Sequence, residues 1–306
     1  MVILLWVGCQ SIDETEVGAF TDIQEAPSEY TPPEDAGVDS VEWDLEGIEM
    51  ALDDVFAGVR TRHTTPILTG YDSVMAQADS YCPQAYTVDG NSFWYGACTS
   101  TSGMSYDGYL FYNTYEDYNF FGDGGSWNVE ALAGSTQMVG SDGRLIHWGG
   151  SAYLAEGTSV DGYPVYFSSV TGSFLDDGAT EPWLQEGHSD TLMMYGASFS
   201  EAVVLNAFMI SGSMQWEGAV TAVEFGETIT YSTGVGYPCW KEPMGSLGIR
   251  DAHGRWLDIQ FDVSEDWQLV GTCDGCGQAL SNGEVIGEVC VDVAPLLDWE
   301  GAPWVE

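Results

Sequence analysis

Residues 250–263 read Arg-Asp-Ala-His-Gly-Arg-Trp-Leu-Asp-Ile-Gln-Phe-Asp-Val, and this segment gives the strongest indication of the fold class. From Trp256 onward apolar and polar residues alternate, which is typical of a strand with one face buried and the other in water. The turn signal Asp251 to Gly254 separates this strand from the residues ending at Arg250. Because a short polar, glycine-containing connection between two such runs favours a tight reversal, the segment predicts an antiparallel hairpin.

The chain after Cys82 shows the same combination of strand-like runs and turn signals. Asp-Gly or Asn-Gly turn signals begin at Asp89, Asp107, Asp123, Asp142, Asp161, Asp177 and Asn282. The candidate strands are 92–97, 144–148, 163–174, 203–210, 220–225, 228–231, 256–263 and 285–293. Since no helical pattern separates them, we expect a mainly β fold: an antiparallel meander, sandwich or partly closed barrel, with one or two N-terminal helices. The alternative is a parallel β-helix, because Gly-Ser pairs recur, although at irregular spacing.

Before Cys82 the hydrophobic period changes. Apolar residues recur every three or four positions from Val41 to Val59, which predicts an amphipathic helix, and Asp39 and Glu42 have capping-box spacing at its start. A second, shorter helix is predicted over 73–80. The predicted organisation is a signal over 1–9, an acidic flexible tether over 10–39, a helical segment over 40–82 and a β-rich disulfide-bonded domain over 83–306.

The first nine residues have the form of a bacterial lipoprotein leader. Met1 to Gly8 is an apolar run, and the cysteine that follows a small residue, Cys9, is the expected site of lipidation. Secretory signals ordinarily begin with basic residues, and the first basic residue here is Arg60, so we expect the basic segment to lie upstream of Met1. Gln10 follows Cys9 with no acidic residue beside it, which favours the outer membrane or cell surface of a Gram-negative bacterium.

Six further cysteines support export, because an even number in an exported chain predicts disulfides. Cys82 and Cys98 flank a short segment with a central turn signal, and we predict that they pair. The pairing of Cys239, Cys273, Cys276 and Cys290 stays open at this stage. The motif Cys273-Asp274-Gly275-Cys276 also permits a zinc–thiolate site or a thioredoxin-like redox pair, although its flanks do not read as a strand followed by a helix.

The charge of the chain is strongly one-sided, with 48 acidic and 6 basic residues and a net charge of −42. Phosphate backbones and anionic headgroups require a basic surface, so nucleic acid is excluded as a partner and so is a polybasic membrane contact. A solvated acidic surface explains this balance in an exported protein. We expect no cofactor, apart from weak calcium binding at the oxygen-rich segment 116–123, which lacks EF-hand spacing.

Four basic or titratable residues cluster against this acidic background: Lys241, Arg250, His253 and Arg255. They predict either ion pairs on the hairpin, with Glu242, Asp251 and Asp258 as partners, or a small anion site. Catalytic templates are not matched: the chain contains no Gly-x-Ser-x-Gly elbow, HExxH, Walker loop or GxGxxG. Gly187-His188-Ser189-Asp190 places three triad residue types in sequence, but a triad is assembled in space.

The cysteine-containing motifs carry a resemblance to a family. The C-terminal part reads Gly-Tyr-Pro-Cys-Trp-Lys-Glu-Pro over 236–243, Cys-Asp-Gly-Cys-Gly over 273–277 and Gly-Glu-Val-Cys-Val-Asp over 287–292. Together with the segment from Cys82 to Cys98, it resembles predicted lipoproteins of myxobacteria-like Gram-negative bacteria over about two thirds of the chain. The resemblance implies location and architecture, and it carries no catalytic residue.

These observations favour a non-enzymatic surface lipoprotein that acts as a binding or structural module, with a surface glycan or an envelope protein as its partner. One alternative is calcium-assisted carbohydrate binding, because twelve Trp and sixteen Tyr on a sheet offer surfaces for sugar rings. Another is a hydrolase with paired carboxylates, although 48 acidic residues make such a pair uninformative from sequence alone.

Overall fold

The structure, a computed structural model, describes residues 42–59, 62, 64–88, 91–118, 125–160, 162, 164–199, 205–233, 239, 243–263 and 269–293. The predictions for the leader, Cys9, the tether over 10–39 and Lys241 lie outside these residues.

Among the described residues, thirteen strands form a single antiparallel meander in which each strand pairs with the next one along the chain. The strands are β1 (Gln84–Val88), β2 (Asn91–Thr99), β3 (Ser105–Tyr118), β4 (Ser126–Val139), β5 (Leu145–Thr158), β6 (Pro164–Asp176), β7 (His188–Phe199), β8 (Leu205–Gln215), β9 (Val220–Thr233), β10 (Ser246–Asp251), β11 (Trp256–Phe261), β12 (Cys276–Ser281) and β13 (Glu284–Cys290). The predicted mainly β antiparallel fold is confirmed, and it takes the form of an open meander. The parallel β-helix alternative is wrong, because successive strands run in opposite directions.

The predicted hairpin is present as β10 and β11. Arg250 pairs with Trp256, and the backbone N–H of Asp251 donates to the Arg255 carbonyl at 2.9 Å. The Asp251 side chain tightens the turn by accepting the backbone N–H groups of His253 and Arg255 at 2.9 and 2.8 Å. A short polar side chain that replaces missing backbone partners is the usual reason why aspartate favours such turns.

Two helices precede the sheet, α1 (Leu45–Val59) and α2 (Thr64–Met75), and a short α3 (Pro182–Glu186) lies between β6 and β7. The predicted apolar stripe of α1 is buried from Ile48 to Val59. The helix begins at Leu45, later than predicted, and Asp44 caps it by accepting the Gly47 N–H at 2.9 Å, whereas Asp39 of the predicted capping box lies outside the described residues. The second predicted helix is also misplaced, since α2 occupies 64–75 instead of 73–80. No helix among the described residues is long and apolar enough to cross a bilayer.

The error at α2 has a physical cause. Its sequence, Thr-Thr-Pro-Ile-Leu-Thr-Gly-Tyr-Asp-Ser-Val-Met, is rich in residues with weak helix propensity. Burial of Ile67, Leu68, Tyr71 and Val74 against β4, β5 and β6 compensates for that weakness. Tertiary packing therefore selects this helix, and local preference does not.

Strand register divides the sheet into two faces. On the inner face, α1 packs against β9 and β13, and α2 packs against β4, β5 and β6. The inner-face side chains form two clusters, one beneath each helix, and together they hold most of the buried hydrophobic residues. The outer face carries a smaller buried cluster of Trp127, Val129, Ala155 and Val165, at one end of β4 to β6.

One glycine that was predicted to mark a turn lies inside a strand. Gly108 follows Asp107 in the middle of β3 and has a φ of +119°. A Cβ atom there would overlap the Ser135 backbone of β4. Glycine is therefore required for the close approach of the two strands, and the Asp107-Gly108 turn prediction is wrong.

Candidate functional site

Five aromatic side chains lie together on the outer face of β1, β2 and β3, and we call them the tyrosine platform: Tyr86, Phe93, Tyr95, Tyr109 and Phe111. The three tyrosines are well exposed, at 59, 47 and 52% in chain order. The two phenylalanines are half-buried and contact each other with ring centroids 5.2 Å apart. Large exposed aromatic surfaces of this kind are uncommon on soluble proteins and often mark binding sites.

Strand periodicity and register bring these residues together. Phe93 and Tyr95 are two positions apart on β2, so they share a face, and the intervening Trp94 points into the inner core. Tyr109 pairs directly with Tyr95 on the neighbouring strand. Since paired strands lie about 4.8 Å apart, the rings form a continuous surface across three strands.

A polar network borders the platform at one end. The Asn113 Nδ2 group donates to the Asn91 Oδ1 atom, and the Tyr115 hydroxyl donates to the same oxygen at 3.0 Å. Asn91 and Asn113 are half-buried beside the aromatic rows. The platform therefore ends in amide and hydroxyl groups that are already oriented by one another.

Beyond Tyr109 the outer face becomes open. Ser135 on β4 and Gly149 on β5 continue the cross-strand row that begins with Tyr95, and both are exposed. A Cβ atom at Gly149 would meet no atom within 4 Å. The row thus changes from aromatic side chains to the small residues Ser135 and Gly149, which leaves room for a ligand longer than the platform itself.

The inner-face tyrosines serve a different purpose. Burial raises the pKa of Tyr106 and of Tyr112 to about 12, because the phenolate form loses its hydration. Tyr71 of α2 stacks on Tyr112 at 4.6 Å, and its hydroxyl accepts the Trp94 indole N–H at 3.0 Å. These rings hold α2 on the inner face of the sheet.

The electrostatic surroundings of the platform are acidic. The sequence contains no Lys or Arg between residues 63 and 143, and Asp107 is exposed next to the platform on β3. An anionic ligand would meet no compensating charge on these strands. The arrangement therefore suits a neutral ligand with flat apolar faces and hydroxyl groups.

The six cysteines after Cys9 form three disulfides: Cys82–Cys98, Cys239–Cys273 and Cys276–Cys290. The first is the pair that we predicted. Cys273 and Cys276 belong to different disulfides, so the thioredoxin-like pairing and the four-thiolate zinc site are both wrong. Their roles are structural, because they join neighbouring parts of the C-terminal strands.

The predicted basic cluster is not assembled as an open anion site in the described residues. The Arg255 guanidinium pairs with Asp251 at 2.7 Å and lies 3.9 Å above the Trp43 ring. Arg250 and His253 are exposed on the same hairpin, and Lys241 lies outside the described residues. The geometry gives Arg255 a structural role between the hairpin and the start of α1.

No calcium centre is evident in the described part of the chain, where no group of three or more His, Cys, Asp or Glu residues is placed to hold a metal ion. Glu116 of the predicted oxygen-rich segment is exposed, whereas Asn119 and Asp123 lie outside the described residues.

The platform residues were not predicted from the sequence. A usable signal was present, since Phe93-x-Tyr95 and Tyr109-x-Phe111 each repeat an aromatic residue at period two. Their assignment to the solvent side required the neighbouring residues Trp94 and Leu110 to be recognised as core.

Comparison with protein-family models, curated proteins and solved structures finds no match to this chain. The function is therefore argued from the geometry of the molecule itself.

Proposed function

We propose that this protein is a lipid-anchored surface protein of a Gram-negative cell envelope that binds a neutral carbohydrate on the tyrosine platform without chemically altering it. The exposure of three tyrosines on neighbouring strands is the observation that carries this proposal.

The chemistry of the platform fits a sugar chain. Aromatic rings pack well against the apolar C–H faces of pyranose rings, and tyrosine hydroxyls remain available for polar contacts. The amides of Asn91 and Asn113 lie at the end of the rows and supply donors and acceptors for hydroxyl groups. Tyrosine also loses little conformational entropy on binding, since it has only two side-chain torsions.

The location is supported by the sequence. The apolar leader before Cys9, the acidic tether and the resemblance to myxobacterial lipoproteins all favour an envelope position. Three disulfides agree with an oxidising compartment outside the cytosol.

Binding is tested with the full chain by affinity electrophoresis in gels that contain neutral or acidic polysaccharides. We expect retardation by a neutral polysaccharide, and Tyr95→Ala and Tyr109→Ala should each weaken binding by about tenfold, which corresponds to about 1.4 kcal/mol. Gly149→Leu should also weaken binding, because the new side chain would project from the exposed surface of β5 into the space proposed for the ligand without disturbing the interior. Val285→Ala, an exposed apolar change on β13, is the matched control and should bind normally.

Equal retardation of wild type and the tyrosine variants would overturn the assignment of the site. Release of new reducing ends from the polysaccharide would replace the binding function with the hydrolase alternative.

The anchor is tested by metabolic labelling with a palmitate analogue. Wild type should incorporate the label and Cys9→Ala should not, because Cys9 is the proposed acylation site. Equal labelling of the two proteins would contradict the anchor without affecting the carbohydrate proposal.

A further inference from the structure

A cavity of about 430 Å³ lies where α1, α3 and the residues after β8 meet. It is separate from the tyrosine platform and shares no residue with it. Its lining residues are Asp54, Gly58, Arg62, Pro182, Trp183, Glu186, Trp216 and Glu217.

The floor of the cavity is a neutralised ion pair. Arg62 is only 3% exposed, and its Nη1 group donates to the Asp190 Oδ2 atom at 2.7 Å. The other Asp190 oxygen accepts the Gln215 backbone N–H at 3.1 Å. Burial lowers the pKa of Arg62, and the nearby Asp190 carboxylate opposes that shift. The direct contact with Asp190 therefore offsets the positive charge of the guanidinium within the cavity floor.

The walls are aromatic. The Arg62 guanidinium carbon lies 5.0 Å from the Trp216 ring centroid and 5.9 Å from that of Trp183. Trp183 is buried, whereas Trp216 keeps part of its surface accessible. Gly58 of α1 makes room for Trp216, since a Cβ atom at Gly58 would overlap the indole.

The rim of the cavity is acidic. Asp54, Glu186 and Glu217 are exposed carboxylates, and Arg62 is the one basic residue among the described residues of the lining. With Arg62 paired to Asp190, the Asp54 and Glu217 carboxylates give the rim a negative charge beside an indole surface. This combination attracts a cation that also has an apolar body, by charge complementarity and by cation–π contact.

We infer that this cavity binds an organic ammonium ion, with the ammonium group between the rim carboxylates and the accessible part of the Trp216 ring. Neutral sugars lack the charge that the rim recognises, and anions are repelled by it. The inference does not depend on the carbohydrate proposal, because the two sites use different residues.

The test uses the full chain and choline as the probe, with binding followed by isothermal calorimetry and by tryptophan fluorescence. The neutral isostere 3,3-dimethyl-1-butanol has the same shape without the positive charge. We expect choline to bind at least tenfold more tightly than the isostere, and more weakly as ionic strength rises. Equal affinity for the two compounds, or no binding of choline, would overturn the inference.

Variants assign the site. Asp54→Asn with Glu217→Gln should weaken choline binding about fivefold or more, and both residues are exposed, so the fold should be retained. Gly58→Ala should weaken binding without changing any charge, because it displaces Trp216. Glu284→Gln, an exposed carboxylate on β13, is the matched control. Choline binding that is unchanged in the double variant, with thermal melting like that of wild type, would contradict the assignment.

Discussion

At the scale of single residues, the best-defined interaction is the buried pair between Arg62 and Asp190. Arg62 lies in the short connection between α1 and α2, and Asp190 lies on β7. The pair therefore ties the helical segment to the middle of the sheet over a separation of 128 residues. In the sequence Asp190 stands beside His188 and Ser189, an adjacency that is weak evidence for a triad, and nothing near it in sequence indicates its distant partner Arg62.

The first prediction concerns Asp190→Asn. The substitution keeps the shape of the side chain but leaves the buried guanidinium without a counter-charge, so we expect a loss of about 3–5 kcal/mol in the free energy of unfolding. Urea denaturation at pH 7 measures it, with Asp258→Asn on the exposed side of β11 as the control. A loss below about 1 kcal/mol, the range of surface ion pairs, would show that the pair contributes little to stability.

At the scale of elements, composition and alternation predicted β2, β5, β6, β8, β9, β11 and β13 in whole or in part, and the hairpin signal predicted β10. Strands β1, β3, β4, β7 and β12 were not predicted. Residues 220–225 and 228–231 proved to be parts of one strand, β9, whose pairing with β8 shifts register near Ile210. Such a bulge interrupts the period of two, so periodicity alone reads one strand as two.

Helix α2 was misplaced by the sequence prediction for a different reason. Its residues are selected by the surface beneath them, including Trp148 on β5 and Phe174 on β6, which lie far away in sequence. The tyrosine platform was hidden for a similar reason, since its exposure depends on which face of the sheet the helices cover. Both features require long-range packing, which the local pattern does not contain.

The prediction at the scale of elements concerns the local effect of removing a disulfide. Cys276 and Cys290 join paired positions of the last hairpin, and Cys239–Cys273 secures the segment that leads into it. Because β12 and β13 are short, we expect removal of Cys276–Cys290 by a double Ser substitution to cost about 2–4 kcal/mol. Hydrogen exchange with mass spectrometry should show β12 and β13 loosening before β8.

The matched control removes Cys82–Cys98 in the same way and should loosen β1 and β2 instead. Simultaneous loosening of β8 and the last hairpin would contradict the view that the cross-link acts locally. Four free thiols at the C-terminal cysteines in non-reducing mass spectrometry would contradict the two disulfides themselves.

At the scale of the whole molecule, one continuous sheet separates two kinds of surface. The inner face is covered by α1 and α2 and holds the two main hydrophobic clusters. The outer face remains open over β1 to β3 and carries the tyrosine platform. The meander thus buries one set of tyrosines beneath the helices and exposes another set on the opposite face, where we propose that the ligand binds.

The most direct test of this account is tyrosine nitration of the full chain, read by mass spectrometry with and without a saturating neutral polysaccharide. Tyr86, Tyr95 and Tyr109 should be modified in the free protein because they are exposed, and Tyr106 and Tyr112 should not, since both lie on the inner face and burial raises the pKa of each to about 12. The polysaccharide should protect the first three residues and leave exposed Tyr81, which is outside the platform, reactive. Equal modification of the inner-face tyrosines would contradict the assignment of the faces, and unchanged reactivity of Tyr95 and Tyr109 under saturating ligand would contradict the platform as the carbohydrate site.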